Sequence, residues 1–329
     1  MMKHTLASFA LFALAVGVCA AQTGRVDPAM PAYEPVQGIS GNLKSIGSDT
    51  MNNEMTLWAE GFRRIYPNVK IEIEGKGSST APPALTEGTA QFGPMSRPMK
   101  AEEIDRFEAK HGYKPLSLRT SIDMLAIYVH KDNPVACLSL QQVDAIFSKT
   151  RRGGARRELT SWGDLGLTGE WAQKPISLYG RNSASGTYGF FKENALFKGD
   201  FKDTVKEQPG SSSVVQAVAA DRYGIGYSGI GYKTADVRAV RLSLTSGGAC
   251  EETTPDSAYQ GRYPLARFLL LYINGREGVP LDPLQAEFLK YVLSREGQEA
   301  VVKDGYLPLP ARIALEERAR LGAKQEPRR

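Results

Sequence analysis

Histidine is scarce in this chain: 3 among 329 residues, of which only His111 and His130 lie beyond the N-terminal apolar segment. Neither stands in a Gly-x-Ser-x-Gly elbow or in a metal-spaced histidine cluster, so nothing announces a serine hydrolase or a histidine-built metal centre. Cysteine is as rare, with Cys19, Cys137 and Cys250 alone. The N-terminal apolar run, Leu6 to Val18, is too short to cross a bilayer. A basic stripe with interleaved aromatics is missing as well. Arg151, Arg152, Arg156 and Arg157 do cluster, but glycines separate them, which fits a solvated loop and argues against a nucleic-acid partner. No internal repeat is visible.

What is present describes an exported globular protein. A hydrophobic fraction of 42% with 23% charged residues is that of a folded soluble chain, and 329 residues suffice for two domains with a core each. Lys3 and His4 precede the apolar run, and Val18 and Ala20 put small residues at the −3 and −1 positions of a signal-peptidase site. Residues 1–20 are therefore expected to be cleaved on export. The alternative, a lipoprotein acylated on Cys19, is disfavoured by Val18 before it. Export implies the periplasm or the medium, where Cys137 and Cys250 either pair or remain two separate buried thiols. Loss of Lys3 lowers the net charge from +5 to +4, a mild attraction for anions.

Residues 21–40, rich in Pro, Ala and Gly, read as a flexible leader, with order beginning near Leu43. Met51, Met55, Trp58, Phe62 and Ile65 recur at helical spacing and stop before Pro67. Val69, Ile71 and Ile73 alternate with charged residues as a half-exposed strand does. Met124–Val129 and Phe268–Ile273 are continuous apolar runs, read as fully buried strands. Ser139 and Gln142 form a capping box, Ile176–Tyr179 and Ile225–Ser228 look strand-like, and Asp282-Pro283 opens a long helix through Leu293. Alternating strands and helices predict an α/β fold with largely parallel sheets. The tail beyond Pro310 is charged, without an evident partner, and reads as a loosely docked helix or disorder.

Four segments repeat one design, a Gly/Ser/Thr-rich turn entering a helix: Gly47–Thr50, Gly75–Thr80, Gly93–Arg97 and Arg181–Thr187. Helix N-termini present unpaired N–H groups and the positive end of the dipole, hydroxyls add donors, and glycine lets the backbone approach. One such turn is an ordinary cap; four point to an oxyanion. Arg181 adds a planar fork that matches a tetrahedral oxyanion.

These segments carry a resemblance. Arg181-Asn182-Ser183-Ala184-Ser185-Gly186-Thr187 resembles the Arg-x-x-x-Ser-Gly-Thr signature of the periplasmic phosphate-binding proteins of ABC phosphate uptake. Gly47-Ser48-Asp49-Thr50-Met51 is similar to that family's first binding loop, Gly77-Ser78-Ser79 to its second, and Gln91–Ser96 to its third. The likeness runs in order from about Leu43 to Leu309. It implies a two-lobed type II periplasmic-binding-protein fold with two crossover segments, placed where the two apolar runs lie. Residues 41–125 with 268–310 would form one lobe and 126–267 the other, with 311–329 a charged tail. The implied ligand set is Ser48, Asp49, Thr50, the amide of Met51, Ser78, Ser96, Arg97, Arg181, Ser185, Gly186 and Thr187. The implied partners are inorganic phosphate and a membrane permease, with a monomeric receptor and no cofactor, metal or catalytic residue.

One position departs from the pattern. Where many members have an aspartate in the third loop to accept the ligand's proton, this chain has Ser96, followed by Arg97. Asp49 is the best substitute acceptor, or else a cap of the helix that follows; Arg97 is a second positive contact or a surface pair. The departure keeps sulfate or another oxyanion open as ligand. A secreted phosphatase is a remoter alternative, since no base accompanies Ser183 or Ser185, and a scaffold that merely reuses the fold is another.

Overall fold

The computed structural model describes residues 24–321; the expected cleavage site, Cys19 and residues 322–329 lie outside that range. Strand β1 (Gly41–Ile46) leads to helix α1 (Asn52–Ile65), β2 (Val69–Glu74) to α2 (Ala81–Glu87), and β3 (Phe92–Met95) to α3 (Ala101–His111). Hydrophobic period decides each element. Met55, Trp58 and Phe62 fall on one face of α1 and are fully buried. That helix ends at Tyr66, whose backbone leaves the helical region because Pro67 follows.

A long strand, β4 (Leu116–His130), then runs to β5 (Cys137–Ser139) and α4 (Leu140–Phe147). Ser139 caps α4 by accepting the Gln142 amide at 3.2 Å while Gln142 accepts the Ser139 amide at 2.9 Å. Next come β6 (Ser177–Arg181), α5 (Gly186–Asn194), β7 (Lys206–Gln208), α6 (Ser211–Ala220), β8 (Gly224–Gly229), β9 (Val237–Ala239), β10 (Arg241–Ser243) and α7 (Pro255–Tyr259). The chain finishes with β11 (Ala266–Ile273), α8 (Pro283–Val292), α9 (Arg295–Asp304) and α10 (Ala311–Arg320).

The strands line up as β2-β1-β3-β11-β4-β8-β6-β7. Each end of this path is a parallel group, β1 with β2 and β3, and β6 with β7 and β8. Antiparallel β11 and β4 join them. Strand β4 changes partner midway: Leu116–Met124 pair with β11, and Leu125–Val129 pair with β8. The fold is α/β as expected, and the run Met124–Val129 is the buried crossing.

The second crossing is displaced from its expected place. Strand β11 stays within the first group, and the chain returns just before it, where the Leu125 amide donates to the Leu265 carbonyl at 3.0 Å. Nor is the run Phe268–Ile273 wholly buried. Phe268 is 36% exposed and carries the Arg119 guanidinium over its ring at 5.4 Å, a cation–π contact.

Both chain ends are better anchored than their composition suggests. Met30 is fully buried, and the Tyr33 hydroxyl bonds Tyr66 at 2.7 Å and donates to Glu287 at 2.9 Å, so the segment read as a flexible leader is pinned against α1 and α8. Tail residues Ile313, Ala314 and Glu317 are buried in α10, and Glu317 pairs with Arg119 and Arg320. The partner missing from the sequence reading is β4, far away along the chain. Cys137 and Cys250 form a disulfide beside the parallel pair β5–β10.

Candidate functional site

The first three expected loops follow β1, β2 and β3, and the fourth follows β6, so all four lie at the carboxyl ends of parallel strands, where open α/β sheets bind ligands. Backbone bonds hold them in register. The Ser48 amide donates to the Pro94 carbonyl at 2.8 Å, the Gly77 amide to Gly47 at 2.8 Å, and the Ser79 amide crosses to Ala184 at 3.1 Å. Two glycines make this approach possible. Gly77 has φ +112° and would put a Cβ 2.5 Å from the Ala184 carbonyl; at Gly186 a Cβ would fall 2.2 Å from Ser78 Oγ and 2.7 Å from Ser96 Oγ.

Around Gly186 the hydroxyls converge. Thr50 and Thr187 lie 2.8 Å apart, Ser48 donates to Ser96 at 3.1 Å, Thr187 donates to Ser96 at 3.4 Å, and Ser78 is 3.2 Å from Ser96. All are buried. Helix α5 points its N-terminus into the group, with Ser185 as cap, its hydroxyl accepting the Thr187 and Tyr188 amides at 3.1 and 3.3 Å. Water-excluded donors at a helix start suit a multivalent oxyanion.

Arg181 is 2% exposed beside this group. Its Nη1 lies 3.1 Å from Asp49 Oδ2 and donates to Ser211 Oγ at 2.7 Å, while its buried Nε has no hydrogen-bond partner among the described residues. Burial lowers its pKa, against which Asp49 acts. Asp49 also accepts the Ser211 amide at 2.8 Å, so it ties the first loop to the start of α6 instead of facing the hydroxyls. Arg97 is turned away too: its fork closes on Glu103 at 2.7 and 2.8 Å. The Met51 side chain is buried in the core and its amide donates to the Ser48 carbonyl at 3.2 Å, within the turn.

The two histidines lie elsewhere: His111 packs at a tilt against Phe107 and reaches the Thr86 carbonyl, and His130 lies by Asp132.

The match to a PBP superfamily domain covers residues 32–296. The phosphate-binding protein PstS of Pseudomonas aeruginosa is 57% identical over 98% of this chain and 99% of its own length. The chain belongs to the PstS family of the PBP superfamily. The PstS of Staphylococcus epidermidis is 29% identical over 83% of this chain and 80% of its own length. A phosphate ABC transporter substrate-binding protein from Clostridium perfringens, solved with bound phosphate, superposes with a TM-score of 0.70 at 27% identity, covering 82% of this chain and all of that one.

Within this PstS family chain, the sequence reading missed a third buried arginine, beside Arg97 and Arg181. Arg267, at the start of β11, donates to Thr187 Oγ1 at 2.8 Å and to the Ser96 carbonyl at 2.7 Å, and pairs with Asp123 at 2.8 Å. Asp123 in β4 also accepts the Ile230 amide at 3.0 Å. A signal existed: each is a lone charge lodged in a run of apolar strand residues, and a buried charge must find its opposite. Close to Asp123 two further acids, Glu54 and Asp304, feel one another's charge. Glu54 is fully buried, and burial, then Asp304, raises its pKa well above the carboxylate range. Burial pushes Asp304 up to about 7, with Asp123 adding to it.

Proposed function

We propose that this chain is an extracytoplasmic receptor that captures inorganic phosphate between two lobes and presents it to the membrane permease of an ABC importer. The observation that carries the reading is the convergence of Ser48, Thr50, Ser78 and Ser96 from one parallel group with Thr187 from the other, beside Arg181. Phosphate is what the named relatives bind, and a phosphate-bound neighbour shares the fold. The lobes are residues 41–125 with 266–310, and 126–265, moving about β4 as one ion draws their loops together. The receptor works as a monomer in the periplasm or outside the cell, after loss of the N-terminal segment. No helix among the described residues is long and apolar enough to cross a membrane.

Calorimetric titration of the mature chain with phosphate tests this. One ion bound per chain supports it, and no saturable binding overturns it. Small-angle scattering should show a smaller radius of gyration with phosphate than without. A chromogenic phosphomonoester should not turn over; steady hydrolysis would move the chain to the phosphatase reading. A second reading, another oxyanion as ligand, is favoured by one observation: Ser96, and no carboxylate, stands in the centre of the hydroxyl group.

A further inference from the structure

We infer that Ser96 Oγ is the acceptor that reads the ligand's proton, and that Arg267 sets the hydroxyls around it as donors. The inference rests on the oxyanion-receptor reading above and assigns the source of its selectivity. A hydroxyl has one proton to give and two lone pairs, so the direction of each bond follows from what its neighbours cannot do. A guanidinium only donates. Arg267 therefore gives a proton to Thr187 Oγ1 at 2.8 Å, and the Thr187 proton must point elsewhere; when Thr50, 2.8 Å away, donates to Thr187, that proton points to Ser96 at 3.4 Å. The Ser96 amide likewise donates to Ser78 Oγ at 3.0 Å, filling one lone pair there and leaving the Ser78 proton free to point inward. Ser48 also donates to Ser96 Oγ, at 3.1 Å. Donated bonds end on Ser96.

The carboxylates nearby are committed. Asp49 holds Arg181 and the Ser211 amide, Asp123 holds Arg267 and the Ile230 amide, and Glu103 holds the Arg97 fork. An oxyanion entering this group draws the Ser48, Thr50, Ser78 and Thr187 protons onto its own oxygens. The lone pairs of Ser96 are then the acceptor left for a P–O–H. A site of this kind prefers an oxyanion that carries a proton, phosphate or arsenate, over sulfate, which has none near neutral pH. It discriminates less sharply than a carboxylate would, because a hydroxyl can also rotate and donate.

The test is a set of titrations of the mature chain with phosphate, arsenate and sulfate. A wild-type chain that ignores phosphate overturns the functional reading itself, before any variant is made. With phosphate bound, Ser96→Ala is expected to weaken phosphate and arsenate together by roughly tenfold and sulfate by less than about threefold. Equal losses for all three, or no loss, overturn the inference. Ser96→Asp should cost sulfate about a hundredfold or more while phosphate and arsenate stay bound. For Arg267, the joint change Arg267→Gln with Asp123→Asn keeps a neutral buried pair. It should cut the phosphate-to-sulfate ratio as Ser96→Ala does, and should add nothing in a Thr187→Val background. A fully additive loss there would make Arg267 a strut between the strands and overturn its positioning role.

Discussion

Thr50 and Glu54 are four residues apart, yet they face opposite chemistries. Thr50 looks into a group of neutral hydroxyls that Arg267 touches directly, through Thr187; Glu54 lies within the fields of Asp304 and Asp123. The Thr50 carbonyl lies between, accepting the Tyr306 hydroxyl at 2.9 Å. In front, each arginine is matched by a carboxylate: Arg181 by Asp49, Arg267 by Asp123, Arg97 by Glu103. No uncompensated charge stands buried before the ligand arrives, which avoids the desolvation cost of a lone buried ion. Behind, Asp123 answers to Arg267, while burial raises the pKa of both Glu54 and Asp304. The anion site is thus built of neutral donors and paired arginines, while one helical turn away burial disfavours the charged form of Glu54 and Asp304.

The sharpest way to break this contrast is Arg181→Ala. Loss of the buried fork should weaken phosphate by at least about 2 kcal/mol, roughly thirtyfold, with the circular dichroism unchanged. Near-wild-type affinity in a folded variant would show that the hydroxyls suffice alone.

Asp304 probes the acids behind. Its folded pKa is raised to about 7 from an ordinary 3.8, so between those values the folded chain keeps a proton that the unfolded chain has lost. The stability tied to that proton is fully present below pH 3.8 and is lost as pH rises through 7. Asp304→Asn should therefore raise the melting temperature at pH 8 by a few degrees, on the order of 1 kcal/mol, and change little at pH 4. A gain that is the same at both values would remove the carboxylate's titration from the account.

A smaller effect is expected at Asp49. Since its carboxylate is engaged by Arg181 and Ser211, Asp49→Asn should leave the phosphate-to-sulfate ratio within about threefold of wild type, whatever it does to either affinity. Erosion of that ratio would return the proton-accepting role to Asp49. Smallest of all is Arg97→Ala, for which phosphate affinity should stay within about twofold, because the Arg97 fork is closed on Glu103.

The local elements were legible because their signals are local. The stripe of α1, the box at Ser139 and the cap at Asp282, which accepts the Leu284 amide at 3.0 Å, each follow from residues within one turn. The loop residues that meet at Gly186 were legible for the same reason, each sitting in a recognisable turn before a helix. What stayed hidden depends on distant partners. Asp49 reads equally as ligand or cap until Arg181 arrives from across the cleft. Arg97 reads as an anion contact until α3 swings Glu103 under it. The leader's Met30 and Tyr33 and the tail's Glu317 look unpartnered because what they bury against lies hundreds of residues away. Arg267 and Asp123 are 144 residues apart, and only the pairing of β4 with β11 brings them face to face.

The exchange of partners along β4 has a mechanical result. Its ladder with β11, interrupted by one bulge at Leu269–Leu270, runs up to Met124 and its ladder with β8 begins at Leu125, so a single peptide link separates the two sets of backbone bonds. Torsion concentrated at that link leaves every rung of both ladders intact. Resistance to turning one parallel group against the other is then left to the second crossing at Leu265 and to side-chain and loop contacts such as Asp49 with Arg181 and the Ser79 amide with Ala184. On the two-lobe reading proposed above, an ion bound among those contacts would act on the rotation without breaking strand pairing.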